Sequence, residues 1–395
     1  MSMFCFQCEQ TAQSTGCTNH GVCGKDPETA ALQDLLVHVA KGISQHAHCA
    51  RQKGVKDAEA DKFVVEALFT TVTNVNFDPA TIAAMIKRGV DIRNRLQHVC
   101  AQACAAAGNS PKPVQGPASL TIATDQEGMV RQGVSITLEN RLQAFGKDVA
   151  GLQELILYGL KGMAAYMDHA RILGVEDDDI YAFTHETLDV LARSVDDVDA
   201  LVGQALKVGE KNLRVMEMLD AANTGAYGHP EPTQVRVTPV KGNCILVSGH
   251  DLKDLDELLK QTEGKGINIY THGEMLPCLA YPGLKKYKHL VGNYGGAWQN
   301  QAKEFDAFPG AILMTTNCIQ RPRQSYHSRI FTCGLVQWPG VTHISDRNFA
   351  PVIEAALAAP GFAEDDPEQF ITVGFGHNAV MSVAGAVIDA VKAGK

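Results

Sequence analysis

Cys5, Cys8, Cys17 and Cys23 stand in the pattern C-x2-C-x8-C-x5-C near the start of a 395-residue chain. Four thiolates on one short loop repel one another unless a cation neutralises them, so the spacing points to zinc or to an iron–sulfur cluster. A structural zinc site usually draws on two C-x2-C halves and this loop has one, which favours iron–sulfur. The residues between the cysteines, among them Thr11, Ser14, Thr15, Gly16, Thr18 and Gly21, are small and polar. They suit a tight loop that turns its N–H groups toward sulfide.

A second set of ligand types lies far downstream, and only a fold can gather it. β-rich runs at 244–248, 267–271, 290–293, 311–315, 330–332 and 371–373 alternate with helical stretches at 251–262, 298–305, 349–358 and 378–393. That alternation predicts a parallel sheet wrapped by helices, and such sheets bind ligands beyond the carboxyl ends of their strands. His250 follows the first run; His272, Gly273 and Glu274 follow the second; Thr316, Asn317 and Cys318 follow the fourth; Cys333 and His377 follow the last two. Singly, each has a plain reading as a cap, a loop hydrogen bond or a small core residue. Jointly they suggest a metal site of mixed N, O and S ligands.

The elements upstream are helical and duplicated. LQDLLVHVAKGISQHAHCARQKGV from Leu32 recurs as LQELILYGLKGMAAYMDHARILGV from Leu152, an offset of 120 residues, and Asp57, Phe63, Glu66 and Leu68 align with Asp177, Phe183, Glu186 and Leu188. Self-similarity at a fixed offset marks a repeated supersecondary unit. Apolar residues at Leu32, Leu35, Leu36 and Val39 have helical spacing. The reading is a cysteine loop (1–25), an all-α domain of two repeated three-helix bundles (26–225, divided near 145), a Gly- and Pro-rich linker, and a Rossmann-like α/β domain (235–395). Cys100 and Cys104, with alanine neighbours, read as core, although their i, i+4 spacing could chelate a metal; His46 and His48 read as a solvated face. The Asn293–Gly296 stretch fits a tight turn or a crevice wall equally. No Walker loop, G-x-G-x-x-G after a strand or nucleophile elbow is present.

A net charge of −9 and the lack of a Lys/Arg-rich run argue against nucleic acid and anionic lipid. The N-terminus has no basic segment followed by an apolar one, and no stretch approaches a membrane span, so a cytoplasmic location is expected. In a reducing cytoplasm the eleven cysteines are expected as thiols or metal ligands rather than disulfides.

FCFQCEQTAQSTGC and GVCGK at the start, with SGHDLKDLDELLKQTEG, YTHGEMLP, VGNYGGAWQNQ and TTNC downstream, resemble the hybrid-cluster (prismane) proteins of the hydroxylamine-reductase type. The resemblance covers the whole chain. It implies that Cys5, Cys8, Cys17 and Cys23 hold a [4Fe-4S] cluster. It also implies that His250, Glu274 and Cys318 are three ligands of a hybrid [4Fe-2O-2S] cluster, whose other four lie in a third domain beyond this chain. The implied activity is two-electron reduction of hydroxylamine to ammonia and water, or reduction of nitric oxide, fed by a reductase or ferredoxin-like donor. A non-catalytic electron-transfer or redox-sensing fragment and a zinc-stabilised structural protein are the alternatives from other classes; a carbon-monoxide-dehydrogenase-like enzyme is a third.

Overall fold

Asp26 and Pro27 start the first helix. The Asp26 carboxylate accepts the Thr29 N–H at 2.7 Å, and proline in the first turn leaves no amide unpaired. The helices of the first half are α1 (Pro27–Arg51), α2 (Ala58–Thr70), α3 (Pro79–Ala106), α4 (Gln126–Val134), α5 (Leu138–Ile172), α6 (Asp178–Ala192) and α7 (Val198–Tyr227). The structure, a computed structural model, describes residues 3–110 and 114–395.

The 120-residue offset runs through three helices, α5–α6–α7 repeating α1–α2–α3. Asp57 and Asp177 cap α2 and α6 at matching positions. The two copies share one core rather than standing side by side: α1 packs on α3 of its own copy and on α6 of the other, and α2 packs on α5. Leu32, Leu35, Leu36, Val39 and Ile43 are fully buried in that core. Each such side chain contributes roughly 1.5–3 kcal/mol. A polar tie crosses the copies, with His185 of α6 bonded to Asp61 at 2.8 Å and to Ser44 at 2.9 Å, while Arg51 meets Asp61 at 2.6 Å and Asp178 at 2.8 Å.

Two expectations fail in this half. His46 is buried, not solvated, because it faces the α1–α3 seam with its exposure reduced to 3%. Cys49 and Cys100 form a disulfide, since α1 and α3 bring their Cα atoms to 5.9 Å. Cys100 and Cys104 do pack as core, with Ala50.

The chain divides into two compact units at Leu219/Asp220, inside α7 and ahead of the Gly/Pro-rich linker. The end of α7 belongs to the second unit because Tyr227 packs edge-on against Tyr281, 6.5 Å between ring centres. The second unit contains β1 (Thr233–Arg236), β2 (Asn243–Ser248), α8 (Leu252–Thr262), β3 (Ile267–His272), α9 (Pro282–Lys285), β4 (Leu290–Asn293), α10 (Gln301–Ala307) and β5 (Ala311–Met314). It continues through β6 (Ile330–Cys333), β7 (Thr342–Ile344), α11 (Ala350–Ala358), β8 (Phe370–Val373), α12 (His377–Ser382) and α13 (Ala384–Lys392).

Six strands form an all-parallel sheet in the order β4-β3-β2-β5-β6-β7. The chain winds outward from β2 to β4, then returns to β5 and winds the other way. This is the Rossmann-like doubly wound order, and its switch point lies between β2 and β5. Ile245, Leu246, Val247, Ile312 and Leu313 are fully buried, as strands covered on both faces require. The run at 371–373 is not part of this sheet: β8 pairs antiparallel with β1 in a separate two-stranded ribbon. β8 is exposed along most of its length, unlike the buried strands β2 and β5 of the central sheet.

Candidate functional site

The N-terminal loop is shaped by backbone bonds between its own cysteines. Cys5 and Cys17 exchange N–H···O bonds at 3.0 and 2.8 Å, which folds the stretch between them into a hairpin-like lobe. Gln13 and Ser14 take positive φ within a short 3-10 turn, and the Ala12 N–H donates to Cys17 Sγ at 3.4 Å. Tyr158 of α5 ties the lobe down, its hydroxyl donating to the Gln7 carbonyl at 2.6 Å. Lys25 is buried, with its ammonium 4.0 Å from Cys5 Sγ and 2.7 Å from Gln33 Oε1.

Burial pushes the Cys23 thiol up, against the opposing backbone bond and charge of Lys25. Among the described residues, no three of the four cysteine sulfurs come within 4.8 Å of one another. A single tetrahedral zinc would need sulfurs about 3.8 Å apart, from Zn–S bonds of about 2.3 Å. The wider spread suits a multi-iron cluster.

At the sheet, three loops leave the carboxyl ends of the strands that flank the switch point. Gly249 ends β2 with φ +112°, and a Cβ there would sit 2.3 Å from Thr315 Oγ1 and 2.8 Å from the Thr316 nitrogen. Only glycine allows this approach. It lets Thr316 Oγ1 accept the His250 N–H at 2.8 Å. Asp251 then caps α8, accepting from Lys253 and Asp254 at 2.8 and 3.0 Å. His250 is thus fixed between a strand end and a helix start.

Glu274 opens the 3-10 segment after β3, and Cys318 lies in the loop after β5. His250 Nε2 stands 3.0 Å from Glu274 Oε2, and Cys318 Sγ donates to the same oxygen at 3.1 Å. The donor atoms of all three residues fall within 4.8 Å of one another. Cys318 holds a φ of 78°, rare for a residue with a side chain, and Gln301 of α10 donates to its carbonyl.

The His250 bond, helped by the Cys318 thiol, holds the Glu274 carboxyl down to about 2 against the opposing effect of burial. Burial, and then the Glu274 charge, pushes the Cys318 thiol far up. A cation between them would reverse the second effect. His250 Nε2, the Glu274 carboxylate and the buried Cys318 thiol face one another, a donor set that fits a metal centre of mixed ligands, and the second His250 nitrogen, Nδ1, is left buried without a partner.

Other strand-end residues go elsewhere. Cys333, the last residue of β6, is buried and donates to Asp254 at 3.2 Å. His377 is exposed at the start of α12, off the six-stranded sheet, because its strand belongs to the ribbon. Cys278 is buried in the 3-10 segment. His272, at the end of β3, is completely buried and bridges Ser248 at 3.1 Å and Glu304 at 2.8 Å. Glu304 also accepts the Gly296 N–H at 3.0 Å, so the Asn293–Gly296 stretch is a turn held against this pair. Sequence reasoning missed Lys25, Tyr158, Gln301 and Glu304. The only signal for Gln301 was its place in the block VGNYGGAWQNQ.

A four-thiol loop and a mixed N, O and S triad on one chain define an iron–sulfur oxidoreductase. Residues 3–395 match the model of the Prismane/CO dehydrogenase family, and the chain belongs to that family. It is 56% identical over 392 residues to a protein of Rhodospirillum rubrum named hydroxylamine reductase, covering 99% of this chain and 71% of the relative. It is 55% identical over 390 residues to one of the same name from Syntrophobacter fumaroxidans, with the same coverage. With that of Burkholderia lata it shares 53% identity over 397 residues, 100% of this chain and 72% of the relative. A solved carbon monoxide dehydrogenase of Thermococcus sp. AM4 matches at 17% identity and a TM-score of 0.42, over 98% of this chain and 61% of that one; a likeness that remote carries no argument. No helix among the described residues is long and apolar enough to cross a membrane.

Proposed function

We propose that this chain serves a hydroxylamine reductase of the cytoplasm, taking two electrons and two protons to convert hydroxylamine to ammonia and water. The observation that carries the reading is the convergence of His250, Glu274 and Cys318 within 4.8 Å at the carboxyl end of the sheet, with His250 Nδ1 buried and unpartnered. Cys5, Cys8, Cys17 and Cys23 would hold a [4Fe-4S] cluster, and the triad would supply three ligands to a hybrid [4Fe-2O-2S] cluster. When bound, these groups supply redox-active iron with a Lewis-acidic open position, charged by an external reductase or ferredoxin-like donor.

The protein's part is positioning. Thr316 and the Asp251 cap set the direction of His250. Gln301 grips the Cys318 carbonyl, and the Cys318 backbone is held in an uncommon conformation that a flexible loop would not keep. Glu274 keeps a half-exposed carboxylate between His250 and Cys318. His272, two residues before Glu274, is anchored by its 2.8 Å bond to Glu304.

The test is ammonia formation by anaerobic protein given a reduced artificial donor and hydroxylamine, with two donor electrons consumed per ammonia. Cys318→Ala should abolish it. Equal ammonia formation by Cys318→Ala and the parent protein would overturn the reading.

A further inference from the structure

The helical unit holds a second cluster of metal-ligand types that the reductase reading does not use. Cys49 on α1 and Cys100 and Cys104 on α3 place all three sulfurs within 4.8 Å of one another, and Cys49 Sγ is 3.8 Å from Cys104 Sγ. Cys100 and Cys104 are one turn apart on α3, so both face the same point on α1. His46 lies three residues before Cys49 on α1 and therefore on the same helical face. It is 3% exposed, and its Nε2 is buried without a hydrogen-bond partner. His46 and the three cysteines line one cavity of about 770 Å³, together with Arg93; the His46 nitrogens lie outside the 4.8 Å group of the sulfurs, so binding would draw the ring inward across that cavity.

We propose that the reduced protein binds one thiophilic cation of the zinc or copper(I) class here, held by Cys49, Cys100 and Cys104 with His46 as the fourth donor. Three thiolates and one imidazole are a complete tetrahedral set, and sulfurs on one such ion stand about 3.8 Å apart. The Cys49–Cys104 separation already matches. Facing i, i+3 and i, i+4 donor pairs on two packed helices are a recurrent way to build a metal site inside a bundle.

The Cys49–Cys100 disulfide is the oxidised state of the same site. Metal and disulfide exclude each other because they use the same two sulfurs. A low-molecular-weight disulfide would close the bond: two protein thiols become one S–S bond, the reagent is reduced to two thiols, and the cation is released. The site is therefore loaded only when the protein is reduced.

The experiment adds Co2+ to the whole anaerobically purified chain under a phosphine reductant and records difference absorption. Thiolate-to-cobalt charge transfer with intense tetrahedral bands should saturate at about one Co2+ per chain beyond that taken up by Cys100→Ser/Cys104→Ser. His46→Gln should bind at least about tenfold more weakly. Oxidised parent protein, with the Cys49–Cys100 pair verified by peptide mapping, should lack the signal without any substitution, which guards against a misfolded variant. Zn2+ should also protect Cys104 of the reduced parent from alkylation. The proposal is overturned if oxidised protein or the double serine variant gives the same cobalt spectrum, if His46→Gln binds as tightly as the parent, or if zinc leaves Cys104 alkylation unchanged.

Discussion

The N-terminal loop and the sheet edge assemble ligands by opposite means. The loop draws four thiols from one short segment, closed by Cys5–Cys17 backbone bonds and tied down by Tyr158. The sheet edge draws three different donors from loops after β2, β3 and β5, and only the parallel register brings them together. A local loop depends on its own cysteines, while a topological site depends on the sheet beneath it. Damage to one should therefore leave the other standing.

The largest expected effect is chemical. If His250 is the ligand proposed above, His250→Ala should lower hydroxylamine turnover by more than about a hundredfold, because removing a direct ligand exceeds the usual 10–100-fold cost of losing an outer partner. Iron bound at the loop should not change. Loss of loop iron in the same variant would break the comparison.

The next effect is on the frame of the sheet site. Gly249→Ala puts a Cβ 2.3 Å from Thr315 Oγ1 at a positive φ. It should cost on the order of 3 kcal/mol, read from denaturant unfolding of the second unit's signal. An unchanged midpoint would show that the β2–β5 junction yields more easily than its geometry implies.

The smallest effect lies in the helical unit, at a residue that belongs to neither ligand set. Asp57 caps α2 and pairs with Arg95, and those bonds, opposing its burial, hold its carboxyl below the ordinary range. A depressed pKa means its contribution is complete above the ordinary value of about 3.9 and is lost as pH falls below it. Asp57→Ala should cost about 1 kcal/mol at neutral pH, and the gap between variant and parent should close in acid. Both metal contents should remain normal.

Much of this molecule was legible in its sequence, for reasons that differ by region. The C-x2-C-x8-C-x5-C loop is a local pattern, so spacing alone exposed it. The helical repeat was visible because a fixed offset survives wherever the same core face is rebuilt. His250, Glu274 and Cys318 were reachable through one rule, that ligands sit beyond strand ends, although the same rule also proposed Cys333 and His377. It failed for His377 because nothing in the run at 371–373 tells a ribbon strand from a sheet strand. It failed for Cys333 because a strand-end thiol can as well turn inward to a buried carboxylate, here Asp254. His46 was misread as solvated because polarity was weighed without knowing that α3 covers that face. The Cys49–Cys100 pair was invisible for the same reason: 51 residues separate its members, and only helix packing joins them.

The measurement that bears most directly on the two-centre account is iron and acid-labile sulfide per chain in two anaerobically purified variants. Cys8→Ser/Cys17→Ser should lose about four irons and four sulfides relative to the parent. His250→Ala/Cys318→Ala should keep those four. If the loop variant retains the parent's iron, or the sheet-edge variant loses the loop's share, the loop is not an independent cluster site and the account is wrong.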